Sequence, residues 1–366
     1  MAAIFWCTTC LNASTRPRLT FDDNGRCSAC QWHEKKHVID WDHRSNQFKE
    51  LLNRVNRINT PFDCIVPVSG GKDGSYVAHT VRERYGLTPL CVTVRPPLEL
   101  PISHRNLLNF INSGFDHVLV SPNSAVMATI DRYGFEELGF PYYGWMTAIH
   151  TAVIHTAIAF DISIVIYGED GEVEYGGSTE MEHEQVYDID YMRKVYLEGG
   201  HDTVMDRLGD RRSQAHLWNF PNGPINLQFT HWSYYESWDP YRNYLIAKEY
   251  CGLEESKEAN AGTFTNFAQN DQALVALHTY LMFLKFGFGR ATADAGIEIR
   301  RGALTREQAL HLVRMYDGAY PSEFIPTYLE YYQMTRADFD SVLNRWANKD
   351  LFELIDNQWR PLFEVA

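Results

Sequence analysis

The sequence predicts an α/β protein built on a doubly wound parallel sheet. A four-cysteine module precedes the sheet and a mainly helical region follows it. Three observations carry this prediction. Short apolar runs at 64–68, 89–94, 117–120 and 162–167 alternate with helical stretches, the pattern of parallel strands joined by crossover helices. The first run breaks into the Gly-rich turn Ser69-Gly-Gly-Lys-Asp-Gly-Ser75, from which a helix starts. Two C-x2-C pairs stand ahead of all of this. The 366 residues accordingly divide into 1–43, 44–200 and 201–366.

Composition narrows the class. With 45% hydrophobic and 14% aromatic residues the chain can bury a substantial core, so it reads as a folded globular protein. A net charge of −14 argues against a broad nucleic-acid face, which needs a basic surface. No apolar run is long enough to span a bilayer, and no charged start leads into an apolar signal core. A cytoplasmic location without membrane contact is therefore expected.

The first segment holds Cys7-x2-Cys10 and Cys27-x2-Cys30, sixteen residues apart. This spacing fits a tetrahedral four-thiolate zinc site better than a redox pair or free thiols. The strip between the pairs is rich in turns and poor in core material, so the metal would supply most of the folding energy. A closed site leaves no open coordination position and is expected to be structural. His33, His37 and His43 then read as solvated.

A helix is expected over 44–58, with Phe48, Leu51, Leu52, Val55 and Ile58 on one face, ended by Thr60-Pro61. After the Gly-rich turn, Val77, Val81 and Tyr85 share a helix face and Gly86 stops the helix. Further helices are expected at 103–113, 123–135 and 144–159. Strand, Gly-rich turn and helix N-terminus together favour phosphate: glycines let the backbone approach, N–H groups point at the anion, and the helix dipole adds positive potential. The alternative is an ordinary turn; the Lys-Asp pair inside the loop weighs against it.

The fourth strand leads into Gly168-Glu-Asp-Gly-Glu-Val-Glu-Tyr-Gly-Gly177. Acids at 169, 170, 172 and 174 beside a phosphate loop favour Mg²⁺ coordination over a solvated turn. Aromatics from Trp218 to Tyr244 fit core packing for the most part, with stacking on a sugar, a base or a partner as the alternative. Residues 270–286 form an apolar helix, expected to be buried or to lie between subunits of a homo-oligomer. Lys285-Phe-Gly-Phe-Gly-Arg290 and Arg300-Arg301 read equally well as a phosphate or carboxylate clamp and as solvated charge. Thr305-x2-Gln308 reads as a capping box, with more helices after it.

The loop Ser69–Ser75 resembles the S-G-G-x-D-[ST] loop of the PP-loop ATP pyrophosphatases. Over nearly the whole chain the motifs resemble one PP-loop family, the N-acetyl sugar amidotransferases of surface-polysaccharide (LPS O-antigen) and nonulosonic acid biosynthesis. The carriers are the four cysteines with Thr15-Arg-Pro17 and Phe21, the loop Ser69–Tyr76, Gly168-Glu169 with Glu174-Tyr-Gly-Gly177, and Lys285–Thr292 running into Ile299-Arg300 and Gly302. The resemblance implies a PP-loop, adenine nucleotide alpha hydrolase-like fold. It implies an AMP- and pyrophosphate-forming C–N ligase that adenylates an acetamido oxygen on a nucleotide-activated sugar and admits ammonia to give an acetamidino group.

Carried over by motif, Ser69, Gly70, Gly71, Lys72, Asp73, Gly74, Ser75 and Gly168 bind ATP, and Lys72, Asp73 and Glu169 are catalytic. Glu174, Tyr175, Lys285, Arg290 and Arg300 meet the substrate; ATP, Mg²⁺ and structural Zn²⁺ are the cofactors. Ala2 excludes an N-terminal-cysteine glutaminase, and Cys64, Cys91 and Cys251 lack a nucleophile's setting. Ammonia is therefore expected from separate glutaminase and ammonia-channelling synthase subunits resembling the histidine-biosynthesis pair. The chain departs from the family at Gly74, which stands between Asp73 and Ser75 where the usual loop has a hydroxyl after Asp. The competing readings are a tRNA-thiolating PP-loop enzyme and a nucleotide-binding scaffold subunit.

Overall fold

The computed structural model describes residues 4–54, 60–222 and 225–366. The cysteine segment leads into α1 (Ser28–Lys35), then α2 (Trp41–Arg54). The expected helix over 44–58 thus begins earlier; Val55 and Ile58, like Ala2, lie outside the described residues. The sheet domain follows as β1 (Cys64–Pro67), α3 (Lys72–Tyr85), β2 (Pro89–Val94), α4 (Pro101–Asn112), β3 (His117–Val120), α5 (Ser124–Leu138), α6 (Tyr143–Ala159) and β4 (Ile164–Tyr167). As expected, Gly86 closes α3 in the left-handed region at φ 63°.

Beyond β4 come α7 (Gly171–Tyr175), α8 (Ile189–Val195), α9 (His201–Asp206) and β5 (Gln228–His231). All strands of this five-stranded sheet are parallel, in the order β3-β2-β1-β4-β5. The sheet therefore takes its last strand from the region read as mainly helical, past the expected boundary at 200. The chain builds outward from β1 in one direction and then from β4 in the other. Their loops consequently part at the centre of the sheet, and a crevice opens at their carboxyl ends.

Period-two alternation assigns the two faces. Cys64 and Val66 pack with Tyr76, Val77, Val81 and Trp232 on one side. Ile65 packs with Leu90, Val92, Val153, Ile154 and Phe229 on the other.

The rest comprises α10 (Pro240–Cys251), α11 (Leu274–Phe286), α12 (Arg290–Arg300), α13 (Arg306–Tyr316), α14 (Ile325–Tyr332), α15 (Arg336–Trp346) and a hairpin of β6 (Phe352–Ile355) and β7 (Gln358–Pro361). The apolar helix α11 buries Leu274, Leu277, Leu281 and Leu284 in the chain's own core, each side chain stabilising by about 1.5–3 kcal/mol. The capping box at Thr305 and Gln308 forms as read from the sequence. Among the described residues no helix is long and apolar enough to cross a membrane.

Candidate active site and metal centre

The Gly-rich loop Ser69–Ser75 joins β1 to α3. Gly70 has φ +80°, and a Cβ there would fall 2.4 Å from the Leu107 nitrogen; the turn admits glycine for both reasons. Gly74 lies in the first turn of α3, where a Cβ would fall 2.7 Å from the Pro67 carbonyl oxygen. Its departure from the usual loop thus permits close approach of helix to strand. Ser75 corrects the expectation of a phosphate-binding hydroxyl. It is fully buried, and its Oγ has no hydrogen-bond partner among the described residues. The half-buried Ser69 presents the loop's hydroxyl instead. Lys72 is 8% exposed and pairs through Nζ with Asp73, whose other oxygen accepts from Asn243 Nδ2 at 3.5 Å.

The loop after β4 meets this one across the crevice. A Cβ on Gly168 would lie 3.2 Å from that of Asp73. The Glu169 carboxylate accepts from the Tyr175 hydroxyl (3.1 Å) and from Trp238 Nε1 (3.0 Å). Burial pushes its pKa up to about 7, aided by the charge of Asp73 and opposed by Lys72 and Arg290. A carboxyl so poised can exchange a proton near neutrality.

The expectation of four magnesium-directed acids is corrected here, because their side chains are differently engaged. Asp170 caps α7 by accepting from the Glu172 and Val173 nitrogens. Glu172 is held by Arg18 through hydrogen bonds of 2.8 and 2.6 Å. Glu174 accepts from Trp32 Nε1 at 2.9 Å and Lys36 Nζ at 2.8 Å. Glu172 and Glu174 therefore anchor the cysteine module, and of the four acids Glu169 faces Asp73.

Arg290, at the start of α12, lies 5.7 Å from the Tyr175 ring and pairs with Asp294 at 2.8 Å. Burial opposes its charge, but Asp294, Tyr175 and Glu169 outweigh that and hold its pKa above the ordinary value. Arg300, at the far end of the helix, lies beside the cysteine cluster. Its charge is opposed by burial and favoured by Cys10, Cys30, Cys27 and Glu174. Lys285 is not brought to Glu169; it lines a separate cavity with Arg16 and Phe288.

A cavity of about 130 Å³ is walled by His33, Lys36, Glu169, Glu174, Tyr175, Trp238 and Arg300, among others. The cysteine module thus forms part of the same wall as Glu169. His33, expected to be solvated, is half-buried there, and burial lowers its pKa. Sequence reasoning also missed Asp271, whose carboxylate pairs with the Ser69 hydroxyl and whose pKa is raised by burial. Phe229, Trp232, Tyr235 and Trp238 are core as expected, and Trp238 also donates to Glu169.

The sulfurs of Cys7, Cys10, Cys27 and Cys30 all lie within 4.8 Å of one another and are buried. Contacts of 3.8 Å for Cys7–Cys30 and 3.4 Å for Cys10–Cys27 suit one tetrahedral ion, whose ligand sulfurs stand about 3.8 Å apart. The nitrogens of Thr9 and Cys27 approach Cys7 Sγ at 3.4 and 3.2 Å, and Asn12 Nδ2 approaches Cys27 Sγ at 3.4 Å; such donors orient thiolates around a metal. Among the described residues no carboxylate group gathers as tightly. Asp73, Glu169 and Asp271 are carboxylates, the oxygen-donor type that can hold Mg²⁺ together with phosphate oxygens. Cys64, Cys91 and Cys251 are buried in the core, and burial raises the pKa of the latter two.

Among known proteins, residues 261–364 match the family model of the LPS biosynthesis protein WbpG-like, C-terminal domain. No curated protein matches. A solved structure, the U34-tRNA thiolase NcsA from Methanococcus maripaludis with its 4Fe-4S cluster, is similar at 13% identity over 72% of this chain and 77% of that chain, with a TM-score of 0.34. That likeness is too slight to bear on function. The matched region supplies Arg290 and Arg300 to the surroundings of Glu169, and Asp271 to those of Ser69. Residues 261–364 are thus similar to the C-terminal domain of WbpG-like LPS biosynthesis proteins.

Proposed function

We propose that the protein is the ATP-dependent synthetase subunit of an amidotransferase acting on a nucleotide-activated N-acetyl sugar. The observation that carries this reading is Glu169, half-buried opposite Lys72 and Asp73 where the strand order reverses and facing a cavity walled by Tyr175, Trp238 and Arg300. The acetamido oxygen attacks the α-phosphorus of ATP, the bond to the β-phosphate oxygen breaks, and pyrophosphate leaves. The nest of N–H groups at Ser69–Gly71, Lys72 and Arg290 stabilises the departing charge. Ammonia then bonds to the imidate carbon and AMP leaves with the oxygen. The new nitrogen gives its surplus proton to Glu169, which Tyr175 and Trp238 hold in place. Mg²⁺ bound with the phosphates would neutralise their charge, and Zn²⁺ at the four cysteines would fix the module that walls the cavity.

Ammonia is supplied by a separate glutaminase through a channelling synthase subunit, since the three remaining cysteines are sealed in the core. The same burial weighs against the thiolation reading, which needs a reactive cysteine near ATP. A pyrophosphate-release assay with ammonium and a panel of nucleotide-linked N-acetyl sugars tests the proposal. Release stimulated by one such sugar, with an amidine product, is expected. No turnover on any of them by metal-loaded protein sinks it.

A further inference from the structure

The cavity of about 160 Å³ on the other side of α7 takes no part in the reaction above. Arg16, Phe140, Lys285, Phe286 and Phe288 are among its walls. Arg16 is the unusual group among the cations of this wall. Arg18 is held by Glu172, Arg26 by Asp22 and Glu34, and Arg290 by Asp294. The Arg16 guanidinium has no ion pair or side-chain hydrogen bond among the described residues. It lies against the rings of Tyr175 at 5.6 Å and Phe288 at 5.5 Å. Burial lowers its pKa against the pull of Glu172 and Tyr175.

The segment that carries it is held in place. The Thr15 hydroxyl donates to the Phe286 carbonyl, and the Arg16 nitrogen donates to the Ala13 carbonyl at 3.0 Å. Lys285 donates to the Leu138 carbonyl at 3.2 Å and otherwise faces the rings of Phe286 and Trp346. Glu198 is the acid on this wall without such a claim on it, whereas Glu172 is occupied by Arg18. A guanidinium confined without a counter-anion costs free energy that an entering oxyanion recovers.

We propose that this cavity is a second anion-binding site, taking the phosphate or carboxylate of a ring-bearing ligand. Arg16 forks onto the oxyanion, Lys285 adds a second charge, and Phe286 and Phe288 pack on the ring. Identification of the ligand as the sugar acceptor rests on the function proposed above; the anion site itself does not. Tyr175 lies between Arg16 and Arg290 and donates to Glu169, so the bound anion sits one tyrosine ring away from the reacting carboxylate. The anion comes from the diphosphate of a nucleotide-linked sugar or from the carboxylate of a uronic acid.

Calorimetric titration of the metal-loaded full chain with UDP, uridine and glucuronate separates these sources. Binding of UDP but not uridine identifies the diphosphate; binding of glucuronate identifies the carboxylate. Either way, Arg16→Met should weaken the anion about tenfold or more, and Lys285→Met should weaken it to a lesser extent, with metal content and melting midpoint preserved. Unchanged affinity in both variants overturns the proposal, as does the absence of binding by any of these anions. Saturating ATP should leave the anion in place; competitive displacement would put the anion at the phosphate loop and overturn the site. If the anion binds through Arg16 but no acceptor turns over, the site stands and the amidotransferase reading falls.

Discussion

Glu169 and Glu174 belong to one loop, yet the fold uses them in opposite ways. Glu169 faces the like charge of Asp73 and is held by neutral donors, Tyr175 and Trp238, so its proton is loosely committed. Glu174 meets Lys36 and Trp32 and fastens the cysteine module to the sheet domain. Both acids line the same cavity, and their partners set the two roles apart. Acidic residues that look like one metal-binding run are thus divided between chemistry and assembly, and the divide is set by which surface each side chain meets.

Removing the metal should break this comparison most severely. Cys27→Ser is expected to abolish stoichiometric metal, measured by plasma emission, and to take acceptor binding with it, because His33 and Lys36 stand in the same cavity wall as Glu169. Retained acceptor affinity in metal-free protein would separate the module from the site.

On the Glu169 side, Lys72→Met should slow pyrophosphate release by about 10²–10³-fold while the melting midpoint holds. An unaltered rate would remove the loop from the chemistry. On the Glu174 side, Glu174→Gln leaves Lys36 nearly buried without its partner and should cost about 3 kcal/mol in denaturant unfolding. Affinity for ATP should not change; a loss of ATP binding with full stability would reverse the assignment.

The smallest effect lies in pH. The folded Glu169 titrates near 7 rather than at the ordinary 4.5, so the carboxyl favours folding below about 4.5 and that contribution fades as pH rises through 7. Glu169→Gln should therefore gain stability relative to the native chain as pH climbs across that window. A constant difference would show that Glu169 is not shifted.

The legible features were those whose cause is local. The alternation of strands and helices, the glycine stop at Gly86, the capping box at Thr305 and the paired cysteines each depend on residues close in sequence. β5 escaped because Gln228-Phe-Thr-His231 is too polar to read as a strand until β4 pairs with it. At the site, the loop Ser69–Ser75 and Glu169 could be named from order and spacing. Asp271, Trp238 and His33 could not, since each reaches the crevice from a distant element and resembles an ordinary acid, core aromatic or solvated histidine. Glu172 misled for the complementary reason: its cationic partner, Arg18, comes from the N-terminal module.

The close packing at Gly74 bears on how such loops may be engineered. Restoring the more common spelling of the motif with Gly74→Ser would add a hydroxyl where pyrophosphate is expected. The Cβ that carries it, however, would collide with the Pro67 carbonyl at 2.7 Å and press on the Val68 backbone at 3.0 Å. The first turn of α3 would have to lift off the strand, taking Lys72 and Asp73 with it. For this chain, conforming to the consensus would displace the very residues the consensus is meant to serve.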